Sequence, residues 1–340
     1  MDKLIYELDK KDKRILYQLD QDARQSNSQI GKKVRVSKEV INYRIKKMED
    51  KGLILRYSAI IDPFKIGLKR FKLYLRLRNA SKEKIEEIGQ YFNSHKKTEW
   101  VVTCSGRWDM VINFIVNDVN EFDAEVQNVL NKYSAYIQEK ATITTLYLSH
   151  ATREFLDEKE KAQKKYIYYQ VNSEVEKIDE IDKEILKILA NNARYPIVKI
   201  GERLKVTTRI VQYRIKDLER RGIIQAYKVT LDPHKMGNIF CKGIFYLGNM
   251  TKKRLNEFMS YLHNLKPTLW PQRVLGSWDV ELDVEVNGYE EFNDLLLDIK
   301  EKFSDIIINN EFLIVTKEYK LDFYPGCLPT LDKSYKKQEN

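Results

Sequence analysis

A shift of 170 positions lays this chain over itself with no insertion on either side. Between Leu8 and Gly67, 23 of 60 positions are identical to their counterparts between Ile178 and Gly237. Asp9, Asp12, Ile15, Leu16 and Leu19 fall on Asp179, Asp182, Ile185, Leu186 and Leu189. Ala23-Arg24 falls on Ala193-Arg194, and Tyr43-Arg44-Ile45-Lys46 on Tyr213-Arg214-Ile215-Lys216. Further on, Gly106, Trp108 and Asp109 meet Gly276, Trp278 and Asp279 at the same offset. Solenoid repeats run to roughly 20–50 residues. A longer period marks a tandem duplication of a domain-sized, multi-part unit. The 43% of hydrophobic residues is enough to give each copy a core. No apolar run approaches the ~20 residues of a membrane helix, and Met1-Asp2-Lys3-Leu4 lacks the layout of a secretory leader. Three cysteines, Cys104, Cys241 and Cys327, are odd in number and far apart. They argue against a disulfide framework and for a reducing, cytoplasmic compartment.

Each copy opens with three short helical patterns. Ile15, Leu16 and Leu19 form the first apolar stripe; Ile30 and Val34 form the second. After a break at Arg35-Val36, Ser37 stands as an N-cap before Ile41, Ile45 and Met48, and Gly52 ends the pattern. The second copy repeats this with Thr207 as the cap, Val211, Ile215 and Leu218 as the stripe and Gly222 as the stop. The spacing predicts a helix-turn-helix. The β-branched and aromatic runs Leu53–Ile61 and Ile223–Leu231 end at Asp-Pro and read as wings.

Away from its apolar stripe, the third helix carries Lys38, Glu39, Asn42, Tyr43, Lys46 and Lys47; its counterpart carries Thr208, Arg209, Gln212, Tyr213 and Lys216. Asn, Gln, Arg and Lys pair with base edges in the major groove, and the cations also reach phosphates. A charged helix face can equally be merely solvated. The charge distribution favours the first reading. Residues 1–70 hold 18 cations and 10 anions, residues 171–240 hold 14 and 10, and the rest of the +10 chain is slightly negative. With the capping residues and the arginine of each motif, the candidate DNA-binding set is Ser37, Lys38, Glu39, Asn42, Tyr43, Arg44, Lys46 and Lys47 in one copy. In the other it is Thr207, Thr208, Arg209, Gln212, Tyr213, Arg214 and Lys216.

The remainder of each copy alternates strand and helix signals. Phe71 to Arg78 alternates strictly, as a half-buried strand does. A capped helix, two strands around Ser105-Gly106-Arg107, a second helix and a last strand follow. The order is the βαββαβ ferredoxin-like unit, and the second copy repeats it. Helices cover one face of such a sheet; face-to-face pairing of two sheets would cover the other. The expected fold class is α+β, with two winged helix-turn-helix domains and two ferredoxin-like domains in tandem. The expected domains are 1–66 and 67–151, a linker at 152–176, then 177–237 and 238–325, with a flexible tail at 326–340. Within the linker, Tyr166-Ile167-Tyr168-Tyr169 is a candidate packing patch.

The combination resembles the Lrp/AsnC family of transcription regulators, on Asp22-Ala23-Arg24, Val36-Ser37, Arg44-Ile45-Lys46, Gly52-Leu53-Ile54, Asp62-Pro63 and Gly106-Arg107-Trp108-Asp109. The resemblance covers almost the whole chain, twice over. It implies a double-stranded DNA partner, and homo-oligomers or, here, an intramolecular pseudo-dimer. It also implies an effector-binding module of the RAM type, with an amino acid or similar metabolite as effector in many members. Carried over, the effector residues would be Gly106, Trp108, Asp109, Gly276, Trp278 and Asp279. The alternative is a hairpin in which Gly turns, Asp ties and Trp packs. The chain departs from the family at Gly31 and Gly201, where Ala is usual, and at Arg35 and Lys205, where a turn glycine is common.

Two other classes compete. Sirohaem decarboxylases share this architecture, but the His- and Arg-bearing segments expected of them are not evident. His95, His150, His234 and His263 are scattered, and no phosphate loop or nucleophile elbow occurs, so no enzyme, cofactor or metal site is expected. A DNA-free metabolite sensor is the other competitor; the basic third helices argue against it.

Overall fold

The structure is a computed structural model and describes residues 5–157 and 167–324. The tail expected at 326–340, Cys327 and most of the charged run in the expected linker lie outside the described residues.

Copy 1 begins with α1 (Lys10–Gln21), α2 (Asn27–Val34) and α3 (Lys38–Asp50), followed by the strand β1 (Ile54–Ile61). Asp9, Ser26 and Ser37 cap these helices, accepting from the N–H groups of Asp12, Gln29 and Val40. Arg35 closes the turn between α2 and α3 in the left-handed region, at φ 62°. Gly31 is required there, since a Cβ would sit 2.7 Å from the Val36 carbonyl oxygen. The turn is tight despite the non-glycine residue, because Val36 N–H still reaches the Gly31 carbonyl at 3.0 Å. The α/β unit follows: β2 (Lys69–Leu77), α4 (Lys82–Ser94), β3 (Thr98–Gly106), β4 (Met110–Val116), α5 (Val119–Tyr133) and β5 (Ile137–His150). A short strand, β6 (Ile167–Gln170), pairs with the end of β5. Copy 2 repeats the plan with α6 (Glu180–Asn191), α7 (Ile197–Leu204), α8 (Thr208–Arg220) and β7 (Ile224–Leu231). It continues with β8 (Ile239–Leu247), α9 (Lys252–Asn264), β9 (Thr268–Gly276), β10 (Val280–Val286), α10 (Tyr289–Lys302) and β11 (Ile307–Leu321).

Within a copy the strand order is β5-β2-β4-β3 or β11-β8-β10-β9, the ferredoxin-like order. The two sheets then join edge to edge. β3 pairs with β11 and β5 with β9, both antiparallel, so eight strands close into one barrel with both copies in its wall. The glycines of the repeated turn serve these seams. A Cβ on Gly106 would meet the Phe312 carbonyl at 2.6 Å, and one on Gly276 the Thr142 carbonyl at 2.6 Å.

Barrel closure also corrects the reading of Phe71–Arg78 as half-exposed. Leu73 and Leu75 pack with residues of α4 and α5, as expected. Lys72 and Tyr74, on the alternate face, are fully buried inside the barrel. Lys72 Nζ donates to Gln272 Oε1 at 2.7 Å and pairs with Glu281, which also holds Lys242 at 3.1 Å and accepts from Tyr74 OH at 2.7 Å. Burial opposes the charge on Glu281, but Lys242 and Lys72 overcome it and hold the carboxyl well below its usual range.

The heads are joined in the same crossed manner. The run expected as a wing is a single strand in each head, and its partner comes from the other copy: β1 and β7 form an antiparallel ribbon. Ala23 N–H donates to the Tyr227 carbonyl and Ala193 N–H to the Tyr57 carbonyl, both at 2.9 Å. The adjacent Arg24 and Arg194 guanidinium groups lie over the Tyr227 and Tyr57 rings, each 5.1 Å from the centroid. These reciprocal contacts account for the repeated Ala-Arg pair. One apolar cluster runs through both heads, from Ile15 and Leu19 to Ile185 and Leu189.

The span expected as a linker is partly built into the fold. Arg153 is buried and bonds Asp20 at 2.9 Å and Glu285 at 2.8 Å, tying the first head to the barrel. Of the expected packing patch, Ile167 and Tyr169 of β6 are buried and Tyr168 is exposed, while Tyr166 lies outside the described residues.

Candidate nucleic-acid interface

In each head the second helix and the left-handed turn fix the third helix, whose apolar stripe is buried. Ile41, Ile45 and Met48 of α3 face the core, as do Val211, Ile215 and Leu218 of α8. The opposite faces are open. Lys38, Glu39, Asn42, Tyr43, Lys46 and Lys47 are exposed on α3; Arg209, Gln212, Tyr213 and Lys216 are exposed on α8, with Thr208 half-buried. Tyr43 and Tyr213 are each 68% exposed, far more than a packing role would leave. Asn42 keeps only a surface contact, accepting from Asn27 Nδ2 at 3.2 Å.

Four of the candidate residues have structural duties. Ser37 and Thr207 are N-caps, their hydroxyl oxygens accepting from the Val40 and Ile210 N–H groups. Arg44 is bonded to Asp9 and Asp12, both at 2.7 Å, and Arg214 reaches Asp179 at 2.7 Å and Asp182 at 3.3 Å. Each arginine ties its third helix to the start of the first. Base or phosphate contact by Arg44 or Arg214 would have to compete with those carboxylates. The end of each helix is held in the same way. Tyr57 OH donates to Glu49 at 2.7 Å and Tyr227 OH to Glu219 at 2.6 Å, and burial followed by these carboxylates keeps both hydroxyls protonated.

The Gly-Trp-Asp turns lie at the seams between the two copies. Trp108 and Trp278 are buried inside the barrel with centroids 6.1 Å apart, and Tyr74 stands edge-on to Trp278 at 4.7 Å. Asp109 accepts from Leu77 N–H at 2.6 Å and Asp279 from Leu247 N–H at 2.8 Å. The Asp109 and Asp279 carboxylates thus tie the hairpins, the Trp108 and Trp278 indoles fill the barrel, and Gly106 and Gly276 end the strands at the seams. The sequence reading missed the groups that do surround open space: Trp100 and Trp270, another pair at the 170-residue offset, line a cavity of about 430 Å³. Their shared offset was the available signal.

Comparisons with known proteins agree with the heads. The model of the winged helix-turn-helix DNA-binding family matches residues 8–54, and that of the AsnC-type helix-turn-helix domain matches residues 178–219. Over 122 residues the chain is 34% identical to the HTH-type transcriptional regulator LrpB of Bacillus subtilis, spanning 36% of this chain and 80% of LrpB. Over 138 residues it is 27% identical to an uncharacterised HTH-type transcriptional regulator of Pyrococcus furiosus, 41% of this chain and 92% of that one. In fold, the chain is similar to the crystal structure of the siroheme decarboxylase NirDL. The TM-score is 0.62 at 13% identity, covering 96% of this chain and 97% of that one. At that identity the likeness concerns the fold alone. No described helix is long and apolar enough to cross a membrane.

Proposed function

The chain belongs to the Lrp/AsnC family of transcription regulators, and on that premise we propose that it binds double-stranded DNA in a sequence-specific way through α3 and α8 and so regulates transcription. The observation that carries this reading is the pair of open polar faces on two helices that are otherwise locked into their heads. Asn42 and Gln212 can pair with base edges, while Lys46, Lys47, Arg209 and Lys216 can reach phosphates. The two helices sit in one pseudo-dimer, so one chain offers two major-groove readers. In such a dimer the grooves entered are spaced by a multiple of about 34 Å. The readers differ, so a site read by a single chain is non-palindromic.

On this reading the chain is a binding protein and not an enzyme, with the cytoplasm as its compartment. A mobility-shift titration of the full chain against random-sequence and selected duplexes at several salt concentrations tests the proposal. Specific retention with a steep salt dependence is expected. Equal, weak retention of all duplexes would refute it.

A further inference from the structure

The barrel is filled at one end by Trp108 and Trp278. Toward the heads it opens into the cavity of about 430 Å³, whose wall includes Leu55 and Arg56 of β1 and Thr230 and Leu231 of β7. The ribbon that carries both third helices is therefore part of this site. An engineered cavity of about 150 Å³ holds a benzene ring, so this one takes two or three fused rings. Its lining is rich in aromatic groups: Trp100, Trp270, Phe240, Phe323 and Tyr169. Two of them are fixed in orientation. Trp100 Nε1–H donates to Glu318 at 2.8 Å, and Trp270 stacks on His150 with centroids 3.8 Å apart.

The charges in the lining balance, five cations against five acids. Several are already paired, as in Arg70–Glu99 at 2.5 Å and Arg153–Glu285 at 2.8 Å. An ionic ligand would leave its own charge or one of these without a counter-charge. Among the lining residues, Asn113 Oδ1 and Tyr169 OH are buried with neither a hydrogen-bond nor an ion-pair partner; Asp283 Oδ1 also accepts no hydrogen bond but pairs with Lys242 at 2.5 Å, and Arg56 Nε donates to Thr230 at 3.5 Å with its guanidinium over the Phe323 ring. The Asn113 amide is oriented by its other end, Nδ2 donating to Glu99 at 3.4 Å, so it is the carbonyl oxygen that is left over. Buried polar atoms of this kind are rare and costly, and a ligand that satisfies them recovers the cost.

We propose that the cavity binds an uncharged, planar heteroaromatic molecule of two or three fused rings, presenting an N–H donor to Asn113 Oδ1 and a ring-nitrogen or carbonyl acceptor to Tyr169 OH. Aromatic walls favour flat π-systems, and the two polar atoms select for complementary donor and acceptor groups. This assignment does not depend on DNA binding, so it stands or falls separately from the function proposed above.

The test uses the full chain with adenine, adenosine and lumichrome as probes. Caffeine, which has acceptors but no N–H, and zwitterionic L-phenylalanine serve as controls. Binding is followed by saturation-transfer NMR and tryptophan fluorescence. At least one N–H-bearing probe is expected to bind saturably and about five-fold or more tighter than either control. Tyr169→Phe should weaken that probe about five-fold while leaving the melting temperature of the unliganded chain unchanged or raised, since the hydroxyl has no partner to lose. The assignment is overturned if no N–H-bearing probe binds saturably, if a control binds as well, or if Tyr169→Phe leaves affinity unchanged.

Discussion

Laid over each other, the two heads keep the residues that build a head and change the ones that face outward. Asp9, Asp12 and Arg44 recur as Asp179, Asp182 and Arg214, making the same ties between first and third helix. Glu49 and Tyr57 recur as Glu219 and Tyr227 with the same hydrogen bond. On the open face, Lys38, Glu39 and Asn42 stand against Thr208, Arg209 and Gln212, and Lys47 against Asp217. Asp217, ion-paired with Arg220 and Arg221, puts a negative charge on the second helix where the first has the exposed cation Lys47. The two copies thus share the scaffold and differ on the exposed faces of their third helices, with the first head the more cationic.

The largest effect is expected at the exposed lysines proposed to reach phosphates. Lys46→Ala together with Lys47→Ala should weaken binding to every duplex by about a hundredfold near physiological salt and lower the salt slope by about two. Lys216→Ala should cost about tenfold and lower the slope by about one. Equal losses in the two heads, measured by fluorescence anisotropy across a salt series, would contradict the inequality. Next come the base readers. Asn42→Ala and Gln212→Ala should each relax preference at one half-site only, by about 1–3 kcal/mol of discrimination. If either variant changes preference in both half-sites or in neither, that residue is removed from the readout set. A smaller effect sharpens the contrast: Asp217→Lys should make the second helix resemble the first, raise affinity a few-fold and steepen the salt slope by about one.

The smallest expected difference concerns pH. Asp62 and Asp232 end β1 and β7, but Asp62 is buried and Asp232 half-exposed. Burial pushes the Asp62 carboxyl up to about 7. The folded chain then holds this proton more tightly than the unfolded chain does. Its contribution favours folding below the ordinary carboxylate range and is lost as pH rises toward 7. Asp62→Asn should flatten that part of the stability-versus-pH curve, and urea unfolding between pH 4 and 8 would show it. An unchanged slope would mean that the carboxyl ionises without cost.

The heads were legible because a helix needs its apolar residues three or four apart, and because caps and stops recur at fixed positions such as Ser37 and Gly52. The order of strands was legible for the same reason. What periodicity does not carry is the identity of a partner. The alternation in Phe71–Arg78 separates two faces, yet only barrel closure decides that Lys72 lies in a dry interior. Strands β1 and β7 look like wings on their own, and nothing local states that each completes the other. Arg153 falls in a polar, weakly patterned stretch, so its ties to Asp20 and Glu285, at sequence separations of 133 and 132, have no local signature. The Gly-Trp-Asp turn stood out as a repeated motif, and the repetition reflects the seam between copies, where Gly106 and Gly276 let the strands meet.

On the proposed function, one chain presents two unlike helix faces to one duplex. Selection of bound sequences from a random duplex library by the full chain tests this most directly. The expected result is a selected site with two dissimilar half-sites, each altered by substitution in only one of α3 and α8. Recovery of two identical inverted half-sites that respond to one helix alone, or of no enriched sequence at all, would contradict it.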